Sequence, residues 1–173
     1  MPDPGDSSGL VLDTSVWINL LATDSMGVIL SALGKPLYVP EQVEAELKRH
    51  PTTGATFTTR NHPLRRLSPR VSVLSLEGKE VDLFLEIVGA PVGDALGDGE
   101  AAAIAVAVHR GLDLIIDDRK ARRILRERFG QIRAYWTVDL LNAHSVVDSL
   151  GRPLVDERFA KALRFGRMHD PRV

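Results

Sequence analysis

The sequence has no cysteine, few aromatic residues and no excess of charge of either sign. Aromatic residues make up 5% of the 173 positions, and the formal net charge is −1. Without cysteine the chain can form neither a disulfide framework nor a thiolate metal site, which suits the reducing cytoplasm where we expect it. No apolar run approaches the roughly 20 residues that cross a bilayer, so we expect no membrane contact. With a net charge near zero, any affinity for a polyanion must come from local basic patches.

The composition that remains is typical of one globular domain. Apolar residues make up 44% and charged residues 26% of the chain, and a chain of this length can bury a substantial core. Residues 1–9 are polar and contain no basic or apolar segment of the kind found in signal peptides. We therefore expect a flexible leader over residues 1–9 and a single domain over residues 10–173.

Short apolar segments alternate with helical patterns along the chain. Four segments are predicted as buried strands and a fifth alternates like a strand; they cover residues 10–12, 37–39, 112–116, 134–138 and 71–76. The predicted helices cover residues 16–33, 41–49, 81–88, 99–110, 119–129, 139–147 and 155–165, and residues 51–70 form a long loop with room for one short helix. Strands separated by helices predict an α/β fold. We expect a three-layer α/β/α sandwich around a central, mainly parallel sheet of four to five strands.

Carboxylates follow two of the predicted strands directly. Asp13 comes after residues 10–12, and Asp117 and Asp118 come at the end of residues 112–116. Because ligands of parallel sheets bind outside the carboxyl ends of the strands, these acids are expected at one shared edge. Burying an unpaired carboxylate is costly, so such a group usually faces a cation or a set of hydrogen-bond donors. The sequence therefore predicts an acidic metal site at this edge.

Three further acids are candidates for the same region. Asp98 is predicted to cap the helix over residues 99–110, and Glu100 lies in its first turn. Both positions also fit simple helix capping. Glu46 lies on the helix over residues 41–49, where spacing alone fits a solvated face.

Four segments in series resemble the PIN-domain family. They are Leu10-Val11-Leu12-Asp13-Thr14-Ser15, Val39-Pro40-x-x-Val43-x-x-Glu46-Leu47, Gly97-x-Gly99-Glu100-Ala101-x-x-Ile104-Ala105 and Leu114-Ile115-Ile116-Asp117-Asp118-Arg119. The resemblance implies an acidic pocket that binds Mg²⁺ or Mn²⁺ and a single-strand-specific ribonuclease. It also implies a role as the VapC-type toxin of a toxin–antitoxin pair, with RNA and a cognate antitoxin as expected partners. We also expect a homodimer, for which the apolar helical segments over residues 15–33 and 81–88 are candidate faces.

The family motifs assign the acids of this pocket. Carried over by motif, the catalytic residues are Asp13, Glu46, Glu100 and one or both of Asp117 and Asp118, and metal ligation falls mainly to the aspartates and Glu100. The strand end favours Asp117 as the ligand, whereas register against the commoner Thr-x-Asp motif favours Asp118. The neighbours expected to support the ligands are Thr14, Ser15 and Asp98. Hard oxygen ligands of this kind are those that Mg²⁺ and Mn²⁺ prefer.

Two basic segments are candidates for RNA contact. One lies between Glu46 and Glu77, where no acidic residue occurs, and the other follows Asp118 directly. The residues that we expect to contact RNA are Arg49, Arg65, Arg66, Arg119, Lys120 and Arg123. One departure from the family concerns the nearby groove, because Tyr135-Trp136 stands where similar proteins often have a small residue.

Two other functions fit part of the pattern. A Mg²⁺-dependent phosphoryl-transfer protein would share the acidic edge, but haloacid dehalogenases need Asp-x-Asp where this chain has Ser15, and receiver domains need a lysine after a later strand. A non-catalytic, RNA-binding PIN module is the other alternative. Such modules lose acids, whereas here each of the four motifs carries one.

Overall fold

The computed structural model describes residues 3–67 and 70–168, and these residues form a five-stranded parallel sheet. The strands are β1 (Leu10–Leu12), β2 (Leu37–Pro40), β3 (Val71–Leu74), β4 (Asp113–Ile115) and β5 (Ala134–Tyr135). Their order across the sheet is β3-β2-β1-β4-β5, with every neighbouring pair parallel. β1 is therefore the central strand, and its carboxyl end opens in the middle of one edge of the sheet.

Helices connect the strands and cover both faces of the sheet. They are α1 (Thr14–Ala22), α2 (Met26–Leu33), α3 (Glu41–Glu46), α4 (Pro63–Arg66), α5 (Lys79–Val88), α6 (Asp98–Arg110), α7 (Arg119–Arg128), α8 (Thr137–Leu141), α9 (His144–Leu150) and α10 (Arg152–Phe165). Parallel strands need such crossovers because consecutive strands run in the same direction.

The central strand shows how the sequence creates two cores. Successive side chains of a strand point to opposite faces. Leu10 and Leu12 belong to one apolar cluster, together with Trp17 of α1. Val11 belongs to the other cluster, together with Ile104 of α6. All of these side chains are fully buried, so the predicted three-layer α/β/α sandwich with a parallel sheet is confirmed.

The predicted helix over residues 16–33 is two helices. α1 and α2 meet at an angle of 116°, and Asp24 between them has a positive φ of 55°. No single helix within residues 3–67 and 70–168 is long and apolar enough to cross a membrane; α1 and α2 pass that test only as a bent pair. The apolar side chains of the pair, such as Leu20 and Leu30, are buried in the core.

Several other predicted boundaries move. The helix predicted to reach residue 49 ends at Glu46, because the chain then pairs Arg49 with Thr56 in an antiparallel bridge. The loop over residues 51–70 contains α4, and residues 68 and 69 lie outside the described residues. The strand predicted over residues 134–138 has two residues, and its end becomes the start of α8. The helix predicted over residues 139–147 is divided between α8 and α9.

Residues 3–9 pack against the opposite edge of the sheet. Pro4–Asp6 form a single 3₁₀ turn. The Ser7 hydroxyl donates to Asp113 Oδ2 at 2.5 Å, at the start of β4. Asp3 Oδ2 accepts the His144 backbone N–H at 2.9 Å. The leader and domain boundary at residues 9 and 10 stay a prediction, and this segment lies away from the carboxyl ends of the strands.

Candidate metal centre

Asp13 lies at the carboxyl end of the central strand and is almost completely buried, with 2% of its surface exposed. Its backbone N–H is held by Ile115 O of the neighbouring strand at 3.1 Å. Its Oδ2 caps α1 by accepting the Ser15 N–H at 3.1 Å and the Ser15 hydroxyl at 2.6 Å. Among the described residues, nothing hydrogen-bonds the buried Oδ1. A buried carboxylate oxygen without a donor is a position where a cation or a proton can bind.

Glu46 ends α3 and is held by two other elements. Its Oε2 accepts the Thr14 hydroxyl of α1 at 2.6 Å, and its Oε1 accepts the Gly99 N–H of α6 at 2.9 Å. Thr14 therefore hydrogen-bonds one of the predicted acids of the site. Spacing alone would assign the Glu46 side chain to a solvated face. These two bonds instead hold it toward the edge of the sheet.

Glu100 lies in the first turn of α6, and its Oε2 accepts the backbone N–H of Gly97 at 3.0 Å. The residue that precedes the helix is Gly97, with extended φ and ψ of −67° and 163°. The prediction that Asp98 caps this helix is therefore wrong. Asp98 is the first helical residue and is exposed, because Glu100 supplies the acceptor that the Gly97 N–H needs.

The two adjacent aspartates have different surroundings. Asp117 Oδ1 accepts the Thr137 N–H at 2.8 Å, and its Oδ2 accepts the Thr137 hydroxyl at 2.6 Å and Asn19 Nδ2 at 2.7 Å. Burial raises the pKa of Asp117 above its ordinary value, although these hydrogen bonds offset part of the rise. Asp118 caps α7 through one oxygen, which accepts the Ala121 N–H at 2.7 Å. Both oxygens of Asp117 thus accept hydrogen bonds, whereas among the described residues only one oxygen of Asp118 does.

The acids interact electrostatically across the edge. Burial raises the pKa of Asp13 to about 6, and the nearby charge of Glu46 adds to that rise. Burial also raises the pKa of Glu100 to about 7, with further contributions from the charges of Asp13, Asp118 and Glu46. Asp13, Glu46, Glu100 and Asp118 therefore form one electrostatically coupled group, which we call the acidic rim.

The acidic rim fits a divalent cation by its chemistry. It offers carboxylate oxygens, one of them buried and without a donor, and a hard cation would offset the burial and the repulsion that together raise these pKa values. Within residues 3–67 and 70–168 no three acids or histidines already stand close enough to enclose an ion.

Comparison with known proteins identifies the fold family. A family model described as a PIN domain matches residues 9–133, which is most of the chain. The chain belongs to the PIN-domain family. PIN domains are in general nucleases and typically use divalent metals. No curated protein matches the chain.

One buried polar residue of this PIN domain is not apparent from its sequence. Asn19 lies on α1 among apolar neighbours and is fully buried. Its Nδ2 donates to Asp117, and its Oδ1 accepts the Arg167 N–H at 2.7 Å, just beyond α10. The signal in the sequence is a lone amide on an otherwise apolar helix, which requires buried partners. Asn19 and Thr137 use Asp117 to join β4, α1 and α8.

Arg122 packs on Trp136 at the end of β5, where the sequence departs from the family pattern. The Arg122 guanidinium lies 3.9 Å from the centre of the Trp136 ring. It also donates to three backbone carbonyls at the ends of β4 and β5, among them Tyr135 O at 2.8 Å. This arginine therefore stabilises the strand ends. One face of Trp136 is covered by it and is closed to a stacking base.

Two of the predicted RNA contacts form ion pairs within the PIN domain. Arg65 Nε donates to Glu44 at 2.8 Å. Arg123 donates to Asp94 at 2.7 Å and to Glu127 at 3.1 Å. These internal partners compete with a phosphate for the same donors.

The other four basic candidates have no ion pair among the described residues. Arg49, Arg66 and Arg119 are exposed, and Lys120 makes only a long contact of 3.5 Å with Val92 O. Arg119 directly follows Asp118 at the start of α7. Positive charge is thus available next to the acidic rim as well as on the chain that follows α3.

Proposed function

We propose that this PIN domain is a metal-dependent endoribonuclease that acts in the cytoplasm and binds Mg²⁺ or Mn²⁺ at the acidic rim. The observation that carries the proposal is the buried, donor-free Oδ1 of Asp13 beside the coupled carboxylates. We propose Asp13, Glu100 and Asp118 as the ligands, with Glu46 completing the catalytic group. Asp117 is assigned a structural role, because three hydrogen bonds from Thr137 and Asn19 hold its carboxylate between α1 and α8.

The residues of the acidic rim would have different roles in phosphodiester cleavage. A bound Mg²⁺ or Mn²⁺ ion would supply an acidified water molecule and offset charge on a phosphate oxygen. Asp13 is fixed by Ser15 and by the central strand, so it orients the site. Glu100 is held through Oε2 by the Gly97 N–H, which orients its carboxylate in the first turn of α6.

RNA is the substrate that we propose on the basis of charge. An acidic site repels a polyanion unless nearby cations offset the repulsion. Arg119, Arg66 and Arg49 can do so, since no internal ion pair holds them among the described residues. Arg65 and Arg123 would first have to leave Glu44 and Asp94. We therefore expect the first three to dominate the salt dependence of binding.

The test is cleavage of a fluorescent single-stranded RNA with Mn²⁺ or Mg²⁺. We expect cleavage that is abolished by EDTA and reduced by at least about 100-fold in Asp13→Asn, in line with the loss of one essential ligand. Asp148→Asn, an exposed acid on α9, is the matched control and should cleave like wild type. Cleavage that is insensitive to EDTA would contradict the mechanism. Metal-dependent stabilisation without cleavage would favour a non-catalytic binding module.

We further propose that the protein is a toxin restrained by an antitoxin and that it forms a homodimer. The support for an interface is an apolar stripe on α5, formed by Val81, Phe84, Leu85 and Val88 at helical spacing. Val81 and Leu85 are 37% and 59% exposed. Growth arrest on expression that requires Asp13 would support the toxin role. A dimer in light scattering that Leu85→Glu dissociates would support the interface, and a wild-type monomer would refute it.

A further inference from the structure

The first turn of α6 lies unusually close to the Glu46 carboxylate. Gly99 is the second residue of this helix and is buried. A Cβ atom on Gly99 would lie 2.5 Å from Glu46 Oε2 and 2.7 Å from Thr14 Oγ1. Both distances are shorter than any carbon–oxygen contact without a bond, so a side chain at this position and the present place of Glu46 exclude each other.

The glycine is required by space and not by backbone conformation. Gly99 lies within a helix and has no positive φ. Alanine is the better helix former, so helix stability alone would favour a side chain here. Its missing side chain therefore needs another explanation, and the atoms that would collide with a Cβ belong to Glu46 and Thr14.

Gly99 also fixes the carboxylate that it makes room for. Its backbone N–H donates to Glu46 Oε1 at 2.9 Å, while the Thr14 hydroxyl donates to Oε2 at 2.6 Å. Each oxygen of Glu46 is thus held from one side and keeps a lone pair for another partner. The next residue along α6 is Glu100, so the same turn of helix carries one acid and holds another.

We infer that Gly99 is a positioning residue, which acts through Glu46 and places that carboxylate beside Glu100 in the acidic rim. The inference rests on the proposed metal site and adds a residue that carries no functional group of its own. A methyl group at residue 99 would push the Glu46 carboxylate away from the first turn of α6 and break both of its hydrogen bonds. Supporting contacts of this kind typically change metal affinity by 10- to 100-fold.

The test compares Gly99→Ala with Gly27→Ala. Gly27 is the second residue of α2, just as Gly99 is the second residue of α6, and a Cβ there would meet no atom within 4 Å. We expect Gly99→Ala to weaken Mn²⁺ binding by about tenfold or more in isothermal titration calorimetry. Gly27→Ala should bind Mn²⁺ like wild type.

A double-mutant cycle with Glu46→Ala separates positioning from general damage. If Gly99 acts through Glu46, Gly99→Ala should have no further effect on Mn²⁺ affinity once Glu46 is alanine, because the collision with the carboxylate has been removed and the Thr14 hydroxyl, which has lost its acceptor, can rotate away from residue 99. If Gly99→Ala alone does not fold, the double variant should fold, and thermal unfolding in EDTA would show this. A double variant that stays unfolded would overturn the inference.

The two proposals fail in different ways. Wild-type protein that binds no Mn²⁺ would refute the metal site and the inference with it. Wild-type protein that binds Mn²⁺ as tightly as Gly99→Ala does would refute the inference and leave the metal site intact. An effect of Gly99→Ala that persists in the Glu46→Ala background would do the same, since the effect would then not pass through Glu46.

Discussion

Replacing Asp13 with asparagine should change the pH dependence of stability in the metal-free protein. The pKa of Asp13 rises from 3.8 to about 6 because the carboxylate is buried at the end of the central strand. At about 1.4 kcal/mol per pKa unit, ionised Asp13 costs the folded state about 3 kcal/mol. Asp13→Asn removes that cost, since asparagine carries no charge at any pH.

The sign follows from proton linkage. Between pH 3.8 and about 6 the unfolded chain has lost the Asp13 proton and the folded chain has kept it, so the free energy of unfolding falls as pH rises through this window. Above the folded pKa the loss is complete. About 2 kcal/mol of the difference between wild type and Asp13→Asn should develop between pH 4.5 and pH 8. The new amide has no acceptor at the position of Oδ1, which lowers the absolute stability of the variant by about 1–3 kcal/mol at every pH.

Urea unfolding in EDTA at pH 4.5 and pH 8 measures this difference directly. Asp148→Asn, on the exposed face of α9, is the control and should follow wild type at both pH values. Saturating Mn²⁺ should reverse the order at pH 8, because only wild type gains binding energy from the ion. A stability difference that does not depend on pH would refute the reasoning from burial.

Three further predictions concern replacements of single acids by amides. Asp117→Asn should lower the free energy of unfolding by about 1–3 kcal/mol in urea, because an amide nitrogen would face donors that now share the carboxylate. Asp118→Asn should leave stability nearly unchanged, since asparagine also caps helices, but weaken Mn²⁺ binding by about tenfold or more in calorimetry. Glu80→Gln should cost about 1–3 kcal/mol at pH 7, because Glu80 is buried and receives two bonds from Arg110. The Arg110 bonds lower the pKa of Glu80, so this last difference should shrink as pH falls through that pKa.

The layers of the fold could be predicted from sequence, whereas the fine structure of the rim could not. Apolar strands with acids at their ends predict the sheet and the place of Asp13, because the apolar pattern of a strand is visible within a few neighbouring residues. The cap of α6 depends on the reach of Glu100 back to Gly97, which competes with the simpler cap by Asp98.

The choice between the adjacent aspartates depends on contacts that are distant in sequence. Asn19 and Thr137 reach Asp117 from α1 and α8, and spacing along the chain carries no sign of this meeting. The same holds for Arg65 and Arg123. Their basic clusters predict RNA contacts, but in the folded protein they form ion pairs with Glu44 and Asp94. Charge patterns predict the supply of cations, and tertiary packing decides which of them are available.

The central place of β1 has a consequence for how the protein is made. Leu10 pairs with Leu37 on one side and with Asp113 on the other, so the strand that carries Asp13 leaves the ribosome about a hundred residues before its second neighbour. A nascent chain that ends before β4 has Asp13 without Asp118 and without the strand that holds its backbone N–H. Long-range pairing of this kind also forms late in folding. A nascent chain therefore lacks the complete acidic rim until Asp118 has been added, so a nuclease of the kind proposed would not act on its own message before that point.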